Sequence, residues 1–288
     1  MRVRNHRIDD IWHAMTSNVS SRTTIRPRFL LMHYTTGWSG PGSRDWLLGR
    51  AGGHPGSGVS AHLVIDRDGT AWQICPFNRR SWHAGPSRFD GIDDLNSHAI
   101  GFEFANPGFL RRDGTDRWQD DYGHRRTTSE LESFGGFIEA RHARIGGDVY
   151  AWPRYTVQQI STGVEIATAL VQAYPIEAVI GHEEVDTRGW KTDPGPAFPM
   201  AAFSRLAERL EQPESDRLLR VIATRLNLRG GPGTSFERID PPGSLGHGTT
   251  VRPLKAEAQW RFVEVVAGEG VEAGTTGWVH RDYLETVR

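Results

Sequence analysis

At 288 residues the chain exceeds one typical domain, so two compact units are expected, each able to bury a core. The formal net charge of -1 supplies no long-range pull toward nucleic acid or an anionic membrane, and neither is expected as a partner. The single cysteine, Cys75, excludes an intrachain disulfide and a cysteine-rich zinc ribbon, which leaves histidines and carboxylates as the ligands for any metal.

Residues 29–33 place Phe29, Leu30, Leu31 and Met32 in an unbroken apolar run that ends on His33, the pattern of a short, fully buried strand. A loop follows at 35–42, and Ser43 is placed to cap a short helix carrying Trp46, Leu47 and Leu48. Residues 51–58 are Gly-rich and read as irregular. Two apolar runs, 62–66 and 70–75, flank Arg67-Asp68-Gly69 and predict a hairpin. Residues 99–105 predict another strand, which contains Glu103 and gives way to the turn residues Asn106, Pro107 and Gly108.

Residues 109–153 form an insertion of charged, Gly-containing segments around one helix near 130–142, a long excursion of the kind that is often functional. A clearer helix spans 155–174, with Thr156 as N-cap, an apolar face of Ile160, Val164, Ala167, Leu170 and Val171, and Pro175 as its stop. Residues 178–180 predict a strand leading into Gly181-His182, and 198–210 the last helix of this unit. The polar stretch 212–216 reads as an interdomain joint. Beyond it, 221–228, 249–253, 260–266 and 277–280 are short β-like runs between Gly-rich turns, as in a small barrel. The domain reading is therefore 1–211 (core about 25–210, insertion about 109–153) and 217–288.

Candidate ligands are His33 and His182, both at the ends of buried strands, and Asp193 in Lys191-Thr192-Asp193-Pro194-Gly195-Pro196. Neutral imidazoles and a carboxylate suit zinc, and three protein ligands leave the fourth position open, as catalysis requires. Twelve histidines allow many such triples, and an isolated histidine is more often a hydrogen-bonded structural residue, so spacing alone leaves both readings open.

Six motifs occurring in order change that balance: Leu31-Met32-His33-Tyr34-Thr35, Ser60 through Gly69, Ser81-Trp82-His83-Ala84-Gly85, Ile100-Gly101-Phe102-Glu103-Phe104, Gly181-His182 and Lys191 through Pro196. Together they make residues 29–203 resemble the type 2 N-acetylmuramoyl-L-alanine amidases, the family that includes animal peptidoglycan recognition proteins. The resemblance implies an α/β (α+β) fold with a mixed central β-sheet flanked by helices. It implies zinc at His33, His182 and Asp193, Glu103 as the catalytic acid and base, and Lys191 as the stabiliser of the oxyanion. Tyr34, Trp38, His83 and Asn106 are expected to contact substrate, with His98 also near the groove, whereas His62 is expected to be structural. Some branches place a tyrosine where this chain has Ala61; Ala61 together with Glu103 resembles the bacterial branch that cleaves soluble anhydro-muropeptides. The insertion either walls the groove and selects longer substrates or decorates the surface, and its His124 and His142 are not expected to be ligands.

Residues 226–233, with Leu226-Asn227-Leu228-Arg229-Gly230, and 277–284, with Gly277-Trp278-Val279, resemble bacterial SH3-like domains found beside cell-wall hydrolases. That resemblance implies a small all-β SH3-like barrel that tethers the chain to wall polymer. It favours intact peptidoglycan as the partner, while the absence of a signal-like apolar run near the N-terminus favours soluble muropeptides in the cytoplasm. Release or export by a non-standard route reconciles the two. The competing reading is a peptidoglycan-binding protein without catalysis, and the retention of all three candidate ligands argues against it.

Overall fold

The apolar run that starts at Phe29 forms a strand flanked on both sides by parallel partners in the central sheet. The computed structural model describes residues 1–20, 23–50, 58–211 and 218–287 and divides into two compact units, Met1–Glu208 and Arg209–Arg288. The joint read at 212–216, and 51–57 of the Gly-rich stretch, lie outside the described residues. The sheet of the first unit contains β1 (Trp12–His13), β2 (Phe29–Tyr34), β3 (Leu63–Ile65), β4 (Ala71–Gln73), β5 (Ala99–Phe104) and β6 (Ala178–Gly181). Their spatial order is β6-β2-β5-β3-β4-β1. Pairing is parallel from β6 through β3, antiparallel in the β3–β4 hairpin, and parallel between β4 and β1, so the sheet is mixed.

Alternation along the strands sorts their side chains onto two faces. Leu30 and Met32 of β2, and Ile100, Phe102 and Phe104 of β5, pack with Ile166, Ala167 and Leu170 of α2 (Val157–Ala173) and Phe203 of α3 (Met200–Glu211). Phe29, Leu31 and Ala99 pack on the opposite side with Ile180 and Val185. His33, Gly101 and Glu103 therefore belong to the face turned away from α2.

The α2 helix begins as expected, with the Thr156 hydroxyl accepting the Gln159 N–H at 3.1 Å. Ala167, Leu170 and Val171 are buried as expected, but in the first half of the helix the stripe is rotated: Gln159, Gly163 and Ile166 are buried, whereas Ile160 and Val164 are only partly so. Close approach explains the rotation. A Cβ at Gly163 would lie 2.8 Å from the Phe104 ring, and the buried Gln159 amide donates to the carbonyls of Ile65 and Ala105 at 3.1 Å each.

Two helix readings are corrected. The first helix, α1 (Gly40–Leu47), starts before Ser43, because Ser39 caps it by accepting the Gly42 N–H at 3.3 Å and Pro41 suits its first turn. The helix read at 130–142 is only Thr128–Ser133, held by a capping box between Thr127 and Glu130. Gly135 and Gly136, both at positive φ, end it, and Phe137–Ala140 then pairs as a strand with Tyr150–Pro153. The rest of the insertion is ordered as well: Arg111–Arg112, Arg117–Gln119 and Arg125–Thr127 form a three-stranded sheet. Trp118 is buried beneath it with Leu110, Leu131 and Ala151.

The second unit is all-β. Five antiparallel strands run in the order Thr276–His280, Trp260–Ala267, Thr250–Glu257, Leu219–Val221 and Leu284–Thr286, and Arg225–Asn227 pairs separately with Ser244–Gly246. The run read at 221–228 is thus divided between two sheets. Val221, Leu228, Leu245, Val251, Val263 and Val279 are fully buried at its centre. Among the described residues no helix is long and apolar enough to cross a membrane.

Candidate metal centre

Strand register assembles most of the site. In the parallel β2–β5 pair His33 stands opposite Glu103, and the β6–β2 pairing of Gly181 with Met32 brings the next residue, His182, alongside His33. All three sit at the C-terminal ends of parallel strands, where open α/β sheets form their crevices. Asp193 arrives on a loop whose carbonyl, that of Asp193 itself, accepts the Glu183 N–H at 2.8 Å.

The three side chains are buried and converge: His33 Nδ1 lies 3.0 Å from His182 Nδ1, and Asp193 Oδ2 lies 2.8 Å from the first and 2.9 Å from the second. Outer contacts decide what each ring presents. His182 Nε2 lies 3.0 Å from the Ala84 carbonyl, which can only accept, so Nε2 carries the proton. A neutral His182 therefore meets Asp193 lone pair against lone pair, a contact that a cation between them resolves. Two imidazoles, one carboxylate and an open fourth position fit a divalent ion of the catalytic type. Among the described residues this is the one group of three such side chains placed to hold a metal.

The residues behind the ligands are held by hydrogen bonds and close packing. His33 Nε2 lies 3.1 Å from His83 Nδ1, and the His83 ring occupies space that Gly101 leaves open, since a Cβ there would come within 2.7 Å of it. Buried Asn96 accepts the N–H groups of both His83 and Ala84 through Oδ1, at 2.9 Å each. One side chain thus holds the backbone of both the residue whose ring backs His33 and the residue whose carbonyl faces His182. His62 is structural, as expected: its Nδ1 accepts the Gly101 N–H at 3.0 Å and its Nε2 lies 2.9 Å from the Arg79 carbonyl.

Burial sets the electrostatics. It lowers His33 to about 4, aided by His182, with Asp193 opposing. For Asp193 burial acts upward, but His182 and His33 outweigh it and hold the carboxyl far below its usual range. Glu103 is raised well above an ordinary carboxylic acid, first by burial and then by the charge of Asp193, with Lys191 opposing. Cys75 is buried and its thiol is pushed up to about 12 by burial, which leaves it inert as a nucleophile.

A groove of about 650 Å³ opens over this centre, lined by the three ligands together with Tyr34, Trp38, His83, Glu103 and Lys191. Tyr34 hydrogen-bonds Thr192, the neighbour of Asp193. Asn106 differs from expectation. It is 2% exposed, donates Nδ2–H to the Pro153 carbonyl at 2.9 Å and accepts the Gly108 N–H at 2.9 Å, so its amide shapes a turn instead of facing the groove. His98 is not among the lining residues either. The insertion does reach the groove, through Asp121, Tyr122 and His124, and so walls it.

Fold and site together define an α+β protein with a His-His-Asp centre at the ends of parallel strands. The family described as N-acetylmuramoyl-L-alanine amidase matches residues 23–196, more than half of the chain, and the chain belongs to that family. It is 30% identical over 153 residues to the 1,6-anhydro-N-acetylmuramyl-L-alanine amidase AmpD of Escherichia coli (strain K12), covering 52% of this chain and 60% of that one. It is 28% identical over 130 residues to N-acetylmuramoyl-L-alanine amidase AmiD of the same organism, covering 44% of this chain and 34% of the other. The chain therefore spans less than two thirds of the length of these relatives. Among solved structures, a selenomethionine derivative of AmpD superposes with a TM-score of 0.48 at 23% identity, covering 72% of this chain and 99% of that one.

Proposed function

We propose that the chain is a zinc-dependent amidase that hydrolyses the bond between N-acetylmuramic acid, in ordinary or anhydro form, and L-alanine in peptidoglycan or its muropeptides. The observation that carries this reading is the convergence of His33, His182 and Asp193 in the groove that also holds Glu103. A zinc ion bound there supplies Lewis acidity to the scissile carbonyl and acidity to water. Glu103, as its carboxylate, accepts the proton of the attacking water and returns it to the leaving amine. The carbonyl carbon gains the water oxygen, the C–N bond breaks, and the stem peptide departs with a free amine at L-alanine. Lys191 places a cation where negative charge develops on the carbonyl oxygen. His83 and the Ala84 carbonyl orient the two histidines.

The same reading takes the all-β second unit as an SH3-like module that raises the local concentration of the enzyme at wall polymer, supported by its motif residues and by a small buried core of valines and leucines. Retention of the full chain on insoluble sacculi tests that part.

The activity is tested by mass spectrometry of products after incubating zinc-loaded protein with sacculi and, separately, with soluble anhydro-muropeptides. Stem peptides beginning with L-alanine, absent from the Glu103→Ala control, are the expected result, and the faster substrate separates lysis from fragment processing. No cleavage of either substrate by a folded, zinc-loaded protein would instead support the non-catalytic binding protein.

A further inference from the structure

The insertion carries a buried carboxylate that the hydrolysis does not use. Asp120 is 4% exposed. Its Oδ1 accepts the N–H groups of Tyr122 at 3.0 Å and His124 at 2.8 Å, while its Oδ2 accepts the Trp38 indole N–H at 2.7 Å and lies 2.9 Å from His124 Nδ1. Two backbone bonds close the same turn, Asp120 N–H to His124 O at 3.0 Å and Gly123 N–H to Asp120 O at 3.1 Å, with Gly123 at φ +87. One carboxylate therefore ties the turn to itself and to Trp38 across the groove edge.

The turn presents Tyr122. Tyr122 is 68% exposed, yet its hydroxyl lies 3.2 Å from Thr36 Oγ1, three residues beyond His33. An exposed ring anchored at its backbone and at its tip is a pre-organised contact surface, and binding to it loses little side-chain entropy. Asp121 and His124 flank it in the groove lining.

The chemistry of this wall suits a sugar. An aromatic face accepts the C–H face of a pyranose, and the neighbouring carboxylate and imidazole can meet its hydroxyls. It does not suit an anionic stem peptide, because Asp121 is acidic and Lys191 is the one lysine or arginine among the described residues lining the groove. We propose that Tyr122 is a specificity residue that stacks on a sugar ring attached to the muramic acid, so that the chain prefers muramyl peptides carrying a neighbouring sugar to bare muramyl peptides. Asp120 acts as the positioning residue behind it. This rests on the amidase reading above.

The test is kcat/KM on a matched pair, a disaccharide tripeptide and the corresponding muramyl tripeptide, for wild type, Tyr122→Ala and Tyr122→Phe, together with equilibrium titration of each zinc-loaded protein with the peptide-free disaccharide. Wild type should favour the disaccharide substrate. Tyr122→Ala should lose about tenfold on it, mostly in KM, in keeping with one aromatic contact, and lose little on the muramyl substrate. Tyr122→Phe keeps the ring but loses the tip contact with Thr36, so it should keep the direction of the preference with a smaller loss than Tyr122→Ala. Equal losses on both substrates, or no loss, overturn the proposal. If wild type cleaves neither substrate, the amidase reading fails; disaccharide binding weakened by Tyr122→Ala then still supports the sugar contact, and unchanged or absent binding rejects it.

Discussion

His33, Glu103 and His182 reach the groove at the ends of parallel strands, whereas Asp121, Tyr122 and His124 reach it on a turn within an insertion. The first group is placed by ladder register, where a slip of one residue would carry every side chain to the other face and bury Glu103 against α2. The second is placed by a single carboxylate, Asp120, and a handful of hydrogen bonds. His33, Glu103 and His182 cannot shift without disturbing the core, whereas the turn that carries Tyr122 can be altered locally.

The largest effects should come from breaking the strand-end group. His182→Ala and Asp193→Ala should each lose both bound zinc and activity, read by elemental analysis and by product release, because two remaining ligands no longer close a catalytic site. Retained turnover in a zinc-free Asp193→Ala protein would falsify the metal mechanism. Glu103→Gln should keep its zinc and lose about 10²- to 10⁴-fold in kcat, the usual range for a general acid–base residue.

Glu103 also makes a stability prediction with a definite sign. Its folded pKa is raised above the ordinary value of about 4.3. The stability associated with its protonated form is fully present below that ordinary value and is lost as pH rises through the raised one. Metal-free Glu103→Gln should therefore melt higher than metal-free wild type at pH 8, by a few degrees at about 2–4 °C per kcal/mol, and the gap should close toward pH 4. A gap that widens on acidification would contradict a buried, proton-holding carboxyl.

A smaller effect is expected one layer out from the ligands. Asn96→Ala removes the acceptor shared by the His83 and Ala84 N–H groups, and with it the support for both histidine ligands. Zinc affinity should fall about 10- to 100-fold while saturating zinc restores most of the turnover, a pattern that competition against a chelator would reveal.

These residues differ in how readily the sequence discloses them. His33 and His182 each end an apolar run and Glu103 lies between Phe102 and Phe104 in a strand, but only the ordered motifs and the resemblance they carry single the three out from the other histidines and acids. Asn96 has no such signal. Its partners, thirteen and twelve residues upstream, come within reach only through tertiary folding. Asn106 is expected in the groove from the resemblance alone, but the turn needs its amide for Pro153 and Gly108. The helix read at 130–142 fails at Gly135 and Gly136, where two positive φ angles outweigh the surrounding helix formers. The insertion was legible as an insertion, but its ordering depends on Trp118 and Asp120, whose burial no local period reports.

Loosening the inserted wall alone should cost the least. Burial acts to raise the Asp120 carboxyl, but hydrogen bonds from Trp38 and His124 prevail and hold it below its usual value. A depressed folded pKa gives stability that is present above the ordinary value of about 3.9 and is lost as pH falls through the folded one. Asp120→Asn nearly preserves shape, but it offers one oxygen where the turn and the Trp38 indole N–H use two, so a donor must face a donor. The cost should be about 1–3 kcal/mol at pH 7, shrinking as pH falls below 4. Faster hydrogen exchange should be confined to the amides of Tyr122 and His124, and zinc content should not change. A few-fold loss of kcat/KM on the disaccharide substrate, without loss on the muramyl substrate, would show that the wall serves selection while the strand ends serve chemistry; a parallel loss on both would mean that the turn also supports the centre through Trp38.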